Sequence, residues 1–168
     1  MSQDFYWSVI SARRPANVPL MQQRTGVDLH WYVTEEDVTA YKEAGATNVE
    51  IGGKLCEARN KAINDAQKLD LPCVELSDDF KRVKRKEINE VTDITVQQAA
   101  EEIWEQMQSV GARLGGCAPT ANAYWANINK PLNLTGFIVG DFILVHPETE
   151  LRFDEQMELK EDYDYTAQ

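Results

Sequence analysis

The feature that most restricts the fold is a helix-length apolar stripe that feeds straight into a short apolar strand. Leu55, Ala58, Ala62, Ile63, Ala66 and Leu69 recur at intervals of three and four, which puts them on one side of a helix. Asp70-Leu71-Pro72 ends that helix, and Cys73 to Leu76 follows as a buried strand. The same alternation occurs upstream. Phe5 to Ser11 and Leu29 to Val33 are aromatic and β-branched, as strands prefer. Thr34 opens a helix, with Asp37 at capping-box-like spacing and Glu35 and Glu36 in the first turn, where the helix dipole favours anions. Gly45 stops it, and Val49 to Ile51 forms a third strand closed by Gly52-Gly53. Strand and helix in alternation define an α/β fold, with a mostly parallel sheet flanked by helices and right-handed crossovers.

The chain of 168 residues is long enough for one well-cored domain, residues 1–168, and short for two. A net charge of -11 keeps it soluble and opposes loose binding to nucleic acid or anionic membrane. The one dense basic stretch is Lys81-Arg82-Val83-Lys84-Arg85-Lys86, which reads either as a solvated loop or helix face or as a phosphate-contacting segment. Cys56, Cys73 and Cys117 lack metal-ligand spacing and read as free thiols in a reducing compartment. The N-terminus shows no secretory pattern, and no apolar run approaches the ~20 residues of a membrane helix, so no membrane partner is expected.

Further along, Glu87 to Ile94 is less periodic and reads as loop with room for short structure. Thr95 and Gln98 form a capping box for a helix that runs to Val110 and ends at Gly111. Arg113 to Pro119 reads as a glycine-bearing strand, and Asn122 to Ile128 as an aromatic segment able to pair with the next strand. Gly136 to Val145 reads as one long apolar strand interrupted by Asp141, with His146-Pro147 ending it. His30 and His146 read as a packed histidine and an exposed turn histidine.

Three places carry chemistry. The strand at Cys73 delivers Asp78 and Asp79 at its carboxyl end, where open α/β sheets bind ligands. Two carboxylates there suit a hard divalent cation such as Mg2+ or Mn2+, though adjacent aspartates also form ordinary turns. The first strand ends in Ser11-Ala12-Arg13-Arg14-Pro15, whose arginines suit phosphate or a base, or are solvated cations. Near the end of the chain, Lys160-Glu161-Asp162-Tyr163-Asp164 begins a helix. Its carboxylates are either caps or, facing the first acidic pair across a pocket, a general base.

This order of pieces resembles a GT-A glycosyltransferase: a strand ending in a nucleotide loop, an Arg-Asn helix at Arg59-Asn60, an acidic motif at Ser77-Asp78-Asp79, and a Glu-Asp motif near the far end. The Phe153-Asp154-Glu155 and Lys160 to Asp164 ending is similar to the TET-associated glycosyltransferases of phages. The resemblance implies a GT-A, Rossmann-like mixed sheet, and an inverting transfer of sugar from a nucleotide sugar, such as a UDP-sugar, to a hydroxymethylated base in DNA. It implies that Asp79 binds Mn2+ or Mg2+ with help from Asp78, and that Asp78, Ser11, Arg13, Arg14, Arg59 and Asn60 line the nucleotide pocket. It makes Asp162 the base, with Glu161 as neighbour or alternate, and puts the protein in the cytoplasm, that of the host if phage-encoded. Two departures accompany it. Ser77 stands where the motif begins with aspartate, and the chain stops at Gln168, whereas such folds continue with a helix and a further metal ligand. A non-catalytic nucleotide- or partner-binding α/β module is the alternative reading.

Overall fold

The computed structural model describes residues 2–118, 122–126, 128–129 and 132–168. The chain begins with β1 (Tyr6–Ile10), α1 (Asn17–Thr25), β2 (His30–Val33), α2 (Val38–Glu43) and β3 (Asn48–Ile51). It continues with α3 (Leu55–Lys68), β4 (Cys73–Ser77), β5 (Val83–Lys86), β6 (Val91–Ile94) and α4 (Val96–Val110). β7 (Leu114–Gly116), β8 (Phe142–Val145) and α5 (Glu161–Ala167) complete it. Six strands form one sheet in the order β3-β2-β1-β4-β8-β7. The pairs β3-β2, β2-β1 and β1-β4 are parallel, and β8 runs antiparallel to both β4 and β7. The expected α/β class, with a mostly parallel mixed sheet between helices, is what the chain adopts.

Alternation along the strands sends side chains to two covered faces. On one face Trp7, Val9, Trp31, Val74, Leu76 and Leu144 pack with α1, α2 and α4 through Val18, Met21, Tyr41, Ala99 and Ala100. On the other, Tyr6, Tyr32, Cys73, Ile143 and Val145 pack with α3 and α5 through Ala58, Ala62, Ile63, Ala66 and Tyr165. Each fully buried Val, Leu or Ile contributes about 1.5–3 kcal/mol. The helix stripe read at Leu55 to Leu69 is buried at Ala58, Ala62, Ile63 and Ala66, while Leu55 and Leu69 are exposed at its ends.

Local chemistry explains the elements that the sequence pattern misses. α1 carries Pro19 in its first turn, where no intrahelical N–H is needed, and ends at Gly26 in the left-handed region with φ 66°. Its apolar spacing is weak, with Val18 and Met21 the buried apolar contacts. The basic run and the segment after it pair as the antiparallel hairpin β5–β6 rather than forming a loop. Alternation turns Arg85 toward α4, where it pairs with Glu102, and Lys84 and Lys86 the other way. The Thr95 box forms as expected: Gln98 N donates to Thr95 Oγ1 at 3.1 Å, and Thr95 N to Gln98 Oε1 at 3.0 Å. At Thr34 no side-chain cap forms, because Asp37 instead accepts from the backbone of Arg13 at 2.8 Å. The long strand expected from Gly136 is short: only Phe142–Val145 joins the sheet, since the run ahead of it bends at Gly140 and Asp141. Asn122 to Ala126 holds a 3-10 turn at Ala123–Trp125 instead of a strand, and Pro119 and Asn127 lie outside the described residues.

Candidate functional site

β1 has β2 on one side and β4 on the other, so the chain leaves this point in both directions across the sheet. Such a switch point opens a crevice beyond the carboxyl ends of the two strands. Ile10 and Ser77 are register partners, so the loop after β1 and the loop after β4 start side by side.

The two loops are tied through Asp78. Ser11 Oγ donates to Asp78 Oδ2 at 2.5 Å, and Arg14 Nη1 donates to Asp78 Oδ1 at 3.0 Å. The Tyr41 hydroxyl lies 2.5 Å from Ser11 Oγ and accepts from Arg14 N at 3.1 Å. Burial pushes the Tyr41 phenol up, which keeps it a neutral member of this relay. Arg13 takes φ 56°, a left-handed conformation unusual for a residue with a side chain, and Asp37 holds its N–H. Asp78 is thus buried with both oxygens engaged, while its neighbour Asp79 is exposed and accepts from Ser77 Oγ.

Next to this knot lies a hollow of about 270 Å³. Its polar wall is Ser77, Asp141, Glu161, Asp162 and Arg59, over Ile10, Leu55 and Leu76. A second hollow of about 910 Å³ begins at Asp79 and runs along the hairpin past Lys81, Arg82, Lys84 and Lys86 toward Tyr124. Val139 and Asp141 line both, so the two spaces meet at that wall. Asp141 has its carboxyl pushed up by burial first, then by Asp79, against the pull of Arg59 and with a smaller push from Asp162. Asp79, Asp141 and Asp162 therefore crowd negative charge around the junction.

Of the residues expected at the site, Arg59, Glu161 and Asp162 line the smaller hollow, and Asp79 the larger. Ser11, Arg14 and Asp78 form the knot beside them. Arg13 contributes its backbone to Asp37. Asn60 is occupied elsewhere: it donates to Phe153 O at 2.9 Å and to Glu155 Oε1 at 3.0 Å, and accepts from Phe153 N at 2.8 Å. Two positions at the candidate site escaped the sequence reading. Asp141 was visible only as a charge inside an apolar run, and Glu75 only as a charge inside a buried strand.

Glu75 is wholly buried in β4 and paired with Arg59 Nη1 at 2.8 Å. Burial pushes its carboxyl up to about 7, with Arg59 pulling the other way. Among the described residues, no three His, Cys, Asp or Glu side chains gather closely enough to hold a metal by themselves. No helix among them is long and apolar enough to cross a membrane. Comparison with protein-family models, curated proteins and solved structures finds no match for the chain.

Proposed function

We propose that the chain is a GT-A-type, metal-dependent inverting glycosyltransferase that moves sugar from a nucleotide-sugar donor to a hydroxyl on a base in DNA. One observation carries this reading: the carboxyl ends of β1 and β4, at Ile10 and Ser77, and the acidic start of α5 line one polar hollow at the sheet's switch point. A phosphate-bearing donor in so acidic a place needs a cation. Asp79 and Asp141 fit that need, as hard oxygen ligands with no basic side chain paired to them among the described residues, while Asp78 is already neutralised by Arg14. Mg2+-type ions are commonly held by one or two carboxylates plus substrate phosphate, so a three-residue protein cage is not required. When bound, the cation would offset the charge of the leaving diphosphate.

The protein's own residues supply the rest. Asp162 Oδ2 accepts from Gly140 N at 3.1 Å, which aims the carboxylate at the hollow. There it takes the proton of the acceptor hydroxyl. The hydroxyl oxygen bonds to the anomeric carbon from the face opposite the diphosphate, whose bond to that carbon breaks, inverting the centre. Arg14 reaches outward from the knot, with 59% of its side chain exposed, as the cation nearest a nucleotide phosphate. The larger hollow, with Lys81, Arg82 and Lys84 along it, suits the phosphates of an acceptor strand.

Transfer to hydroxymethylated DNA, free nucleoside and glycan should be compared with UDP-sugars and Mn2+. Asp162→Asn should lower turnover by about 10²–10⁴-fold with little change in donor affinity. Asp79→Ala should abolish the metal-dependent part of donor binding; full metal-dependent binding in that variant refutes the assignment. A non-catalytic nucleotide-binding module is the second reading, favoured by the full engagement of Asp78. Calorimetric binding of a UDP-sugar with no sugar release over long incubation selects it.

A further inference from the structure

We propose that Arg59, anchored by Glu75, is a positioning residue: it sets where Asp162 points and is not itself a ligand of the nucleotide. This rests on the transferase reading of the hollow. Arg59 is 7% exposed and spans three elements. Nη1 donates to Glu75 Oε2 on β4 at 2.8 Å, and Nη2 donates to Glu161 Oε1 on α5 at 3.3 Å and to Gly140 O at 3.5 Å. Its guanidinium carbon lies 5.2 Å from the centre of the Phe153 ring, which stacks on Tyr165 of α5 at 3.9 Å.

The Gly140 peptide is the link to the base. Its oxygen faces Arg59 and its N–H donates to Asp162. A Cβ at position 140 would lie 2.7 Å from Arg59 Nη2, so the close approach needs glycine. Arg59 thus bears on Asp162 Oδ2 through Gly140 and on the helix start through Glu161, while Oδ1 accepts from Tyr163 N at 3.0 Å. The body of α5 is seated by Tyr165, which is 1% exposed and stacks on Phe153, so Arg59 acts on the start of the helix. It begins after Lys160 at φ 62°, with no side-chain cap. Thr166 Oγ1 accepts from Ile138 N at 3.2 Å near the end of the helix, and Tyr163 in the first turn stacks on Phe137 at 4.4 Å.

Glu75 explains why an arginine stays here. A bare guanidinium would be expelled from this layer, and a buried carboxylate in mid-strand is tolerated only when paired. Glu75 is wholly buried and Arg59 nearly so, which restricts the pair to one arrangement, and a fixed arrangement is what aiming a general base requires.

The test compares Glu75→Gln, Arg59→Lys and Arg59→Met with the native chain by three readouts. Affinity for uridine diphosphate with Mn2+ should stay within about twofold, while kcat falls about a hundredfold, as expected when a reacting group is misplaced by about an ångström. Arg59→Lys should recover part of kcat, because it keeps the charge but lacks the fork. Hydrogen exchange across residues 157–168 should rise about tenfold in Glu75→Gln while β1 and β2 stay protected. A loss of uridine diphosphate affinity equal to the loss of kcat overturns the proposal and makes Arg59 a ligand contact. Unchanged exchange in α5 overturns it as well. If the native chain transfers no sugar, the transferase reading fails, and the exchange measurement still decides whether Arg59 and Glu75 hold α5. Should Arg59→Met not fold, Glu161→Ala severs only the outer arm and should give the same pattern at smaller size.

Discussion

The two faces of the sheet solve burial in opposite ways, and β4 shows both within four residues. Val74 and Leu76 point into a layer of Val, Trp, Met and Ala side chains that needs no polar partners. Cys73 and Glu75 point into the layer under α3 and α5, which holds a string of buried polar contacts. There the Tyr6 and Tyr32 hydroxyls meet at 2.6 Å, Tyr32 donates to Asp65 at 3.0 Å, Asn60 grips the Phe153 backbone, and Arg59 joins Glu75 to Glu161. Among the described residues, three of the four buried side-chain atoms without a hydrogen-bond partner lie in this layer: Arg59 Nε, Glu75 Oε1 and Tyr165 Oη. Trp31 Nε1 is the one on the apolar face. A layer built only for stability would not carry those groups, since apolar residues of like volume serve as well or better. The apolar face is held by packing, and the polar face carries the groups that border the smaller hollow.

The sharpest way to break this contrast is to remove one group from each face. Leu76→Ala leaves a cavity on the apolar side and should destabilise by about 2–5 kcal/mol. Arg59→Met should cost about 3–5 kcal/mol, because it leaves the buried Glu75 carboxyl without its partner. The double variant Arg59→Met with Glu75→Leu removes both charges and should regain most of that loss. Denaturant midpoints of the four proteins check the series. A double variant no more stable than Arg59→Met alone would mean that the ion pair itself stabilises the fold.

The same contrast explains what was legible in the sequence. The apolar face is written in periodicity: Val74 and Leu76 alternate, the α3 stripe repeats at three and four, and both are seen without knowing what they touch. The polar face depends on contacts far apart in sequence. Arg59 meets Glu161 across 102 positions, and no spacing rule reaches that far. Arg59 and Asn60 stood out as a motif, yet their partners Glu75, Gly140 and Phe153 come into view only in the fold. Asp78 and Asp79 were found together, but which one turns inward depends on Ser11 and Arg14, delivered by a different strand. The hairpin β5–β6 was not read as a pair of strands because its charges mask alternation: Arg85 faces α4, and Lys84 and Lys86 face the larger hollow.

Acidity gives a finer probe of the polar face. The Glu75 carboxyl titrates near 7 when folded, above its ordinary 4.5, so the folded chain takes up this proton before the unfolded chain does. Its contribution therefore favours folding as pH falls from about 7 to about 4.5, and the full penalty of the buried charge applies above that window. Asp141 acts in the same direction, while His30 and His146, whose values burial lowers, act against it. Those groups remain in Glu75→Gln, so the difference between the two proteins isolates Glu75. The native chain should gain stability relative to Glu75→Gln between pH 8 and pH 5. Parallel stability curves over that range would show that Glu75 keeps its charge throughout.

The smallest effect on folding is expected outside both faces, on the basic edge of the hairpin. Lys84 lies 3.9 Å from Asp93, Arg85 pairs with Glu102, and Lys86 donates to the carbonyls of Tyr124 and Ala126. Lys81 and Arg82 are exposed beside the larger hollow, with no ion pair or hydrogen bond among the described residues. Lys81→Ala and Arg82→Ala should leave stability within about 0.5 kcal/mol. If these cations meet acceptor phosphates, each removal should weaken DNA binding on every sequence and reduce the slope of log affinity against log salt by about 0.9. The net charge of -11 sharpens the measurement, because general attraction to DNA is absent and a local loss is not masked. Slopes equal to the native value in both variants would make the edge a solvated surface, and would take DNA out of the acceptor assignment while leaving the hollow between β1, β4 and α5 untouched.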